Sequence, residues 1–243
     1  MWTIAFKETS TFFSSLAGFI ISGVFLLLMG LMLFFFPDTS ILSSNYATMD
    51  GLFYLAPTIF TFVIPAITMR FFAEEIQSGT IELLATKPIS DLKIIRGKFL
   101  AGLFLIGLCL LPTLIYYYTV YQLGSPKGNL DSGGIMGSYV GLVFLSACFL
   151  AIGIFSSALS SNQVVAFIIG AFLCFLCQWF FLYVSKLPVF VGSLDYFIQK
   201  IGMDYHYGRM SKGVIDLKDV IYFLSVITLF IGFTHFVLQK RKW

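Results

Sequence analysis

Residues 70–98 read RFFAEEIQSGTIELLATKPISDLKIIRGK. This stretch holds nine Asp, Glu, Lys and Arg residues, whereas the whole chain of 243 residues has only 15 basic and 12 acidic ones. Uncharged runs flank it on both sides, at residues 51–69 and 99–126. This pattern predicts a charged loop that joins two membrane helices and is suited to contact with a soluble partner.

The composition is that of a polytopic membrane protein. Hydrophobic residues make up 58% of the chain and charged residues 11%, against about 45–50% and about 25% in ordinary soluble domains. A bilayer core takes about 20 apolar residues per helix. One helix therefore fits each of four uncharged runs, and two fit a fifth run that is interrupted by the polar stretch SSALSSNQ; the runs are residues 9–37, 51–69, 99–126, 220–239 and 132–185.

We therefore predict an all-α polytopic membrane protein with six transmembrane helices in a single domain of residues 1–243. Outside the bilayer we expect an N-terminal interfacial helix at 1–14, a cytoplasmic coupling loop at 73–97 and short outward helices at 186–218. The predicted transmembrane helices are residues 15–36, 51–72, 98–122, 135–157, 163–185 and 219–238.

Basic residues predict the orientation, because cytoplasmic loops carry an excess of Lys and Arg. The basic residues of the loop are Arg70, Lys87, Lys93, Arg96 and Lys98. Another basic group ends the chain at residues 240–242, and the loop at 38–50 has no Lys or Arg. We expect both termini in the cytoplasm, although residues 186–218, predicted to face outward, hold five basic residues.

A short helix is predicted inside the charged loop, near residues 80–86. Gly79 or Thr80 can cap its start, and Glu82 lies in its first turn, where the helix dipole favours an anion. Pro88 disfavours helical geometry in the residue before it and so ends the helix. A helix of two turns is not stable alone in water, so it must rest on another surface.

The surface of this helix combines apolar side chains with acidic ones. The apolar members are Ile81, Leu83, Leu84 and Ala85, and the acidic residues in and beside the helix are Glu74, Glu75 and Glu82. The helix could rest on a partner, on the bilayer or on other helices of this chain. We favour a partner, since unneutralised acidic residues are repelled by an anionic leaflet.

These residues resemble the first cytoplasmic loop of ABC-2-type permeases, the membrane subunits of ABC transporters. The matching residues are Glu75, Gly79, Thr80, Glu82, Leu83, Leu84, Pro88 and Lys98. A second match is similar to the G-x-I-D-x-x-D-x-x-Y-F end of one ABC-2 group, and its residues are Gly213, Ile215, Asp216, Asp219 and Tyr222. More narrowly, the chain resembles the permeases of gliding-motility ABC transporters.

The resemblance implies an ABC-2 permease fold, similar to type V exporters, in the cytoplasmic (inner) membrane of a bacterium. It implies that a separate cytoplasmic ATPase subunit binds ATP and Mg and contacts the loop, so that this chain has no cofactor and is not itself an enzyme. It also implies pairing with a second permease copy or a paralogous membrane subunit. The implied contact residues are Glu74, Glu75, Gly79, Thr80, Glu82, Leu83, Leu84, Pro88 and Lys98, and the second match implies an outer re-entrant motif.

Other classes of function have no support in the sequence. There is no G-x-x-x-x-G-K-[ST] loop to cradle a nucleotide phosphate. A net charge of +3 gives no indication of nucleic-acid binding. We expect His206 and His235 to stand alone, without acidic or nucleophilic partners, and Cys174 and Cys177 to serve apolar packing.

Two functions from different classes fit the sequence. One is a permease that couples ATP hydrolysis by the partner subunit to export or to movement of an envelope complex, in bacterial gliding motility. The other is a membrane scaffold or mechanotransmission subunit that regulates an envelope machine without moving a substrate. The sequence does not identify a substrate.

Overall fold

The protein is all-helical in the computed structural model, which describes residues 2–36, 39–41, 46–80, 90–190, 192 and 194–240. Within these ranges no residue is in a strand. The helices are α1 (Trp2–Ser14), α2 (Leu16–Phe34), α3 (Asp50–Thr68), α4 (Arg70–Gln77), α5 (Asp91–Leu110), α6 (Leu114–Leu123), α7 (Ser132–Leu159), α8 (Gln163–Phe175), α9 (Phe181–Ser185), α10 (Asp195–Gln199), α11 (Met203–Met210) and α12 (Leu217–Lys240). A 3₁₀ turn, Leu111–Thr113, joins α5 to α6, and a π-helical turn, Leu176–Phe180, joins α8 to α9.

Five helical segments among the described residues are long and apolar enough to cross a membrane: Asp50–Gln77, Asp91–Leu123, Ser132–Leu159, Gln163–Ser185 and Leu217–Lys240. A sixth candidate is the pair Trp2–Ser14 and Gly18–Phe34, which is bent by 74°. The prediction of an all-α polytopic membrane protein is therefore confirmed, with six spans when the bent pair is counted as one. The bend separates α1 from α2, and the placement of α1 at the membrane interface stays a prediction.

Helix α7 is the centre of the bundle. In its most apolar stretch of 18 residues 78% are buried inside the protein, compared with 17% in α12. Small residues let its neighbours approach closely. A Cβ atom on Gly153 would lie 2.1 Å from Oγ1 of Thr68 on α3, and one on Gly137 would lie 2.7 Å from Cα of Gly213. Gly213 has φ +80°, which a residue with a side chain rarely adopts.

Proline 57 leaves a gap in the hydrogen-bond ladder of α3 that another helix fills. Proline has no N–H, so the carbonyl four residues earlier, that of Phe53, loses its usual helical donor. The hydroxyl of Tyr207 on α11 donates to that carbonyl oxygen at 2.6 Å. Tyr207 is buried, so this bond ties α11 to α3 in a place where a free carbonyl is costly.

We predict that Tyr207→Phe lowers the unfolding free energy by about 1–3 kcal/mol, because it leaves the Phe53 carbonyl buried and unsatisfied. The measurement is unfolding of the detergent-solubilised protein, by heating and by SDS titration. Tyr183→Phe, which removes the hydroxyl of an exposed tyrosine on α9, is the matched control and should change little.

A second background sharpens this test. Pro57→Ala restores an N–H that can donate to the Phe53 carbonyl, so Tyr207→Phe should cost less in that background than in the wild type. Equal costs in both backgrounds would show that the Tyr207 hydroxyl does not compensate for the proline.

Candidate coupling site

Lys98 of α5 is the only lysine among the described residues that is buried, with 1% of its surface exposed. Its Nζ donates three hydrogen bonds: to Oε1 of Glu8 at 2.9 Å, to Oε1 of Glu75 at 2.9 Å and to the carbonyl oxygen of Phe71 at 2.5 Å. An ammonium group has three hydrogens. The ammonium group of Lys98 is thus fully satisfied by protein acceptors.

The charges around Lys98 balance within the cluster. Glu8 and Glu75 have side chains that are 13% and 14% exposed, and the more exposed Lys7 brings its Nζ to 4.0 Å from Oε1 of Glu75. Two carboxylates therefore meet two ammonium groups. The ring of Phe72 adds a cation–π contact, with its centroid 5.0 Å from Nζ of Lys98.

The cluster joins three segments that are separate in sequence. Glu8 belongs to α1, Glu75 to α4 just after the second predicted span, and Lys98 to α5 at the start of the third. Removing one member of a buried charged pair leaves the other uncompensated, which typically costs about 3–5 kcal/mol. The ion cluster of Glu8, Glu75 and Lys98 therefore holds α1, α4 and α5 together at the base of the charged loop.

A serine on α7 holds the junction between α3 and α4. Oγ of Ser157 accepts hydrogen bonds from the backbone N–H groups of Phe72 at 2.9 Å and Ala73 at 3.1 Å, and it donates to the carbonyl of Met69 at 2.9 Å. Met69 offers no side-chain cap to α4, so Ser157 satisfies N–H groups that a helix start leaves free. The base of the loop is thereby fixed to the central helix.

The loop residues that precede Ile81 occupy different environments. Glu74 is half exposed and pairs with Arg70 one turn earlier, Nε to Oε2, at 3.1 Å. Gly79 is exposed with φ +72°, the left-handed geometry that commonly ends a helix. Gly79 thus ends α4, and the next residue, Thr80, is already helical; a cap at Gly79 or Thr80 for the following helix stays a prediction. Thr80 is exposed and its Oγ1 lies 2.9 Å from Oγ of Ser78.

The remaining predicted contact residues, Glu82, Leu83, Leu84 and Pro88, lie outside the described residues, together with most of the predicted helix at 80–86. Their role stays a prediction. Glu75 and Lys98, by contrast, meet at 2.9 Å and face inward. Glu74 and Thr80 are exposed, so a partner protein can touch them directly. Lys98 is buried, so it can influence a partner only through the residues that it binds.

Sequence reasoning missed Glu8 and Ser157. Glu8 is the single acidic residue before Asp38, and an isolated acid beside a predicted first span is a signal that could have suggested a basic partner. Ser157 gave no such signal, because it stands in a stretch rich in serine that reads as a polar break between two spans.

The second motif forms a polar cluster at the start of α12. Asp216 accepts from Nη2 of Arg209 at 3.1 Å and from the backbone N–H of Lys218 at 3.1 Å. The Lys218 N–H and the Arg209 guanidinium lower the pKa of the Asp216 carboxyl. Tyr222 donates from its hydroxyl to the carbonyl of Ile201 at 2.6 Å, while Ile215 is half exposed. The motif thus connects α11 and the segment before it to α12.

His206 is part of this cluster, so our expectation that it stands alone is wrong. Its Nδ1 lies 2.6 Å from Oδ1 of the fully buried Asp219, its Nε2 lies 2.9 Å from the carbonyl oxygen of Lys200, and its ring stacks on Tyr222 at 3.8 Å. Both ring nitrogens face acceptors, and a neutral imidazole donates from only one of them. Among the described residues no group of three or more His, Cys, Asp or Glu could hold a metal ion.

We predict that Lys98→Met lowers the unfolding free energy by about 3 kcal/mol, because it removes the buried ammonium group from two mostly buried carboxylates. The measurement is SDS titration of the purified protein. Lys93→Met, at an exposed position five residues earlier on the same helix, is the matched control and should be nearly neutral.

Neutralising the stranded carboxylates separates charge from packing. The triple variant Glu8→Gln, Glu75→Gln, Lys98→Met should recover much of the lost stability, since no unpaired charge remains. If the triple variant is no more stable than Lys98→Met, the loss comes from packing and the ion cluster does not hold the three helices.

Comparison with known proteins identifies the family. The sequence profile described as ABC-2 family transporter protein matches residues 2–243. No curated protein matches the chain. A match over nearly the full length agrees with the all-helical bundle and with the spans described above. The chain belongs to the ABC-2 family of transporter proteins and is a transmembrane subunit of an ABC transporter.

Proposed function

We propose that this subunit receives the movement of its ATPase partner at the charged loop and passes it to three helices at once through the Lys98 ion cluster. The observation that carries the proposal is the bonding of one buried ammonium to Glu8 and Glu75, on two other helices, at 2.9 Å each. A displacement of α4 alone would break the bond between Glu75 and Lys98 and leave buried charge unpaired. It is therefore less costly for α1, α4 and α5 to move together.

The predicted contact residues divide into two groups under this proposal. Glu74, Gly79 and Thr80, with Glu82, Leu83, Leu84 and Pro88 of the loop, form the surface that the ATPase grips. Glu75 and Lys98 are positioning residues that transmit the displacement inward. The hydrogen bonds of Ser157 support this division. They fix the start of α4 to α7, so that a displacement of the other end of α4 would tilt the helix about a fixed point.

The wider role follows from the resemblance of the two motifs to gliding-motility permeases, in particular to the F subunit of the gliding-motility ABC transporter. In this role the chain lies in the bacterial inner membrane with both termini in the cytoplasm. ATP and Mg are bound by the partner subunit, and a second permease copy or a paralogous subunit completes the membrane part. ATP hydrolysis by the partner subunit then drives either export of a substrate or movement of an envelope complex.

The two outputs differ in what stimulates ATP hydrolysis. In a complex reconstituted into liposomes, a transported substrate stimulates hydrolysis if the chain is a permease. If the chain is a mechanotransmission scaffold, only an envelope protein does so.

We predict that Glu82→Lys weakens co-purification of the ATPase subunit without lowering the amount of permease in the membrane. Removing one charge from a desolvated ion pair typically costs about 2–5 kcal/mol of binding free energy. The measurement is the ratio of ATPase to permease after affinity purification from membranes. The control is Asp195→Lys on α10, outside the loop, which should leave the ratio unchanged. A normal ratio for Glu82→Lys would contradict the proposal that the loop contacts the ATPase subunit.

We predict a different result for Glu8→Gln, which removes one carboxylate from Lys98 and leaves the loop surface intact. The ATPase should co-purify in the normal ratio, but its hydrolysis should no longer depend on the state of the permease. The measurement is ATPase activity of the reconstituted complex with and without stimulation. Unchanged stimulation in Glu8→Gln would show that α1 is not part of the transmission path.

A further inference from the structure

A second site lies at the opposite end of α3 from the Lys98 ion cluster. A cavity of about 360 Å³ opens between the start of α3, the π-helical turn and α11. This volume falls in the range of about 300–1,000 Å³ that is typical of small-molecule sites. Its polar lining comes from Asp50, Gln178, Asp204 and Lys212, and its aromatic lining includes Tyr54 and Trp179.

Gln178 is the unusual member of this lining. It is 1% exposed, and its Oε1 is buried without a hydrogen-bond donor among the described residues. Its Nε2 makes only a long contact, 3.5 Å, to Oδ1 of Asp204. A buried amide oxygen without a donor is unfavourable, so this atom is an acceptor for a group that enters the cavity.

The backbone that carries Gln178 is also unusual. It belongs to the π-helical turn Leu176–Phe180, a geometry that is rare and frequently occurs at functional sites. The turn directs Gln178 inward toward α11 and places Trp179 beside it on the wall of the cavity. The fold thus tolerates both an irregular turn and an unsatisfied acceptor at one point.

The charges of the lining indicate what the cavity accepts. Asp50 and Asp204 contribute two carboxylates, and Lys212 contributes one ammonium group at the exposed side. Burial raises the pKa of the Asp204 carboxyl, so a cation beside it would stabilise the charged form. Aromatic faces next to carboxylates attract a cation further. The amide of Gln178 is buried and Asp204 is partly buried, whereas Asp50 and Lys212 are exposed.

We propose that this cavity binds a primary ammonium group that is joined to a phosphate, the chemistry of phosphoethanolamine. The ammonium donates to Oε1 of Gln178 and to the carboxylate of Asp204, and the phosphate meets Lys212 at the exposed side. A primary ammonium is required, because a quaternary one has no N–H with which to satisfy Gln178. The group can belong to a lipid headgroup or to a soluble compound. The largely exposed Tyr54 and the half-buried Trp179 are residue types that are typical of a membrane interface, where lipid headgroups lie.

The experiment uses the full-length purified chain and two pairs of probes. In detergent, glycerophosphoethanolamine is compared with glycerophosphocholine by calorimetric titration. In nanodiscs, retention of phosphatidylethanolamine is compared with that of phosphatidylcholine by native mass spectrometry. We expect the ethanolamine form to be preferred about tenfold, equivalent to about 1.4 kcal/mol, in at least one of the two experiments. A preference for the lipid alone identifies the lipid headgroup as the ligand. A preference in both experiments shows that the soluble group is sufficient for binding.

Variants connect the preference to the cavity. Gln178→Leu and Asp204→Asn should each remove the preference for the ethanolamine form, whereas Gln122→Leu and Asp195→Asn, which lie outside the cavity, should retain it. Lys212→Gln changes an exposed side chain, and it should weaken both ethanolamine and choline probes by a similar factor, about threefold to tenfold. Equal binding of ethanolamine and choline forms in both arms, or an unchanged preference in Asp204→Asn, would overturn the proposal.

Discussion

The buried ammonium of Lys98 is the constraint on which the rest of the structure depends. An ammonium group in a protein interior is tolerated only when its hydrogens meet acceptors and its charge is balanced. Glu8, Glu75 and the Phe71 carbonyl meet this requirement, and to do so α1 must lie against α4 and α5. The packing of α1 against α4 and α5 is thus tied to one buried charge.

The two ends of α3 are built on different principles. At one end Ser157 and the ion cluster of Glu8, Glu75 and Lys98 fix its continuation into α4, with every hydrogen of the ammonium used. At the other end the proline gap is closed by Tyr207, and close to it Gln178 keeps an unsatisfied oxygen beside a cavity. Among the described residues a buried oxygen lacks a donor at both ends, Oε2 of Glu75 at the first and Oε1 of Gln178 at the second, and Gln178 lines the cavity. Helix α3 and its continuation α4 connect the cavity to the ion cluster, and thereby link the binding site and the contact that we propose.

The sequence alone predicted the features that the bilayer determines, such as the membrane spans. It did not predict contacts between residues that are far apart in the sequence. Uncharged runs such as residues 132–185 predicted the spans, because bilayer thickness sets their length, and the charge density of residues 70–98 located the loop. Glu8 and Ser157 were missed, since their partners lie 90 and 85 residues away and nothing local records such a contact.

The most direct test of the account is a pair of spin-label distances in the complex with its ATPase, measured with and without a non-hydrolysable nucleotide. The four native cysteines are replaced by alanine, and labels are placed at the exposed positions Gln77 on α4, Lys93 on α5 and Gln239 on α12. If the ion cluster makes α4 and α5 move as one body, the distance between Gln77 and Lys93 stays constant while that between Gln77 and Gln239 changes. A shift of the Gln77–Lys93 distance as large as that of the Gln77–Gln239 distance would contradict the account.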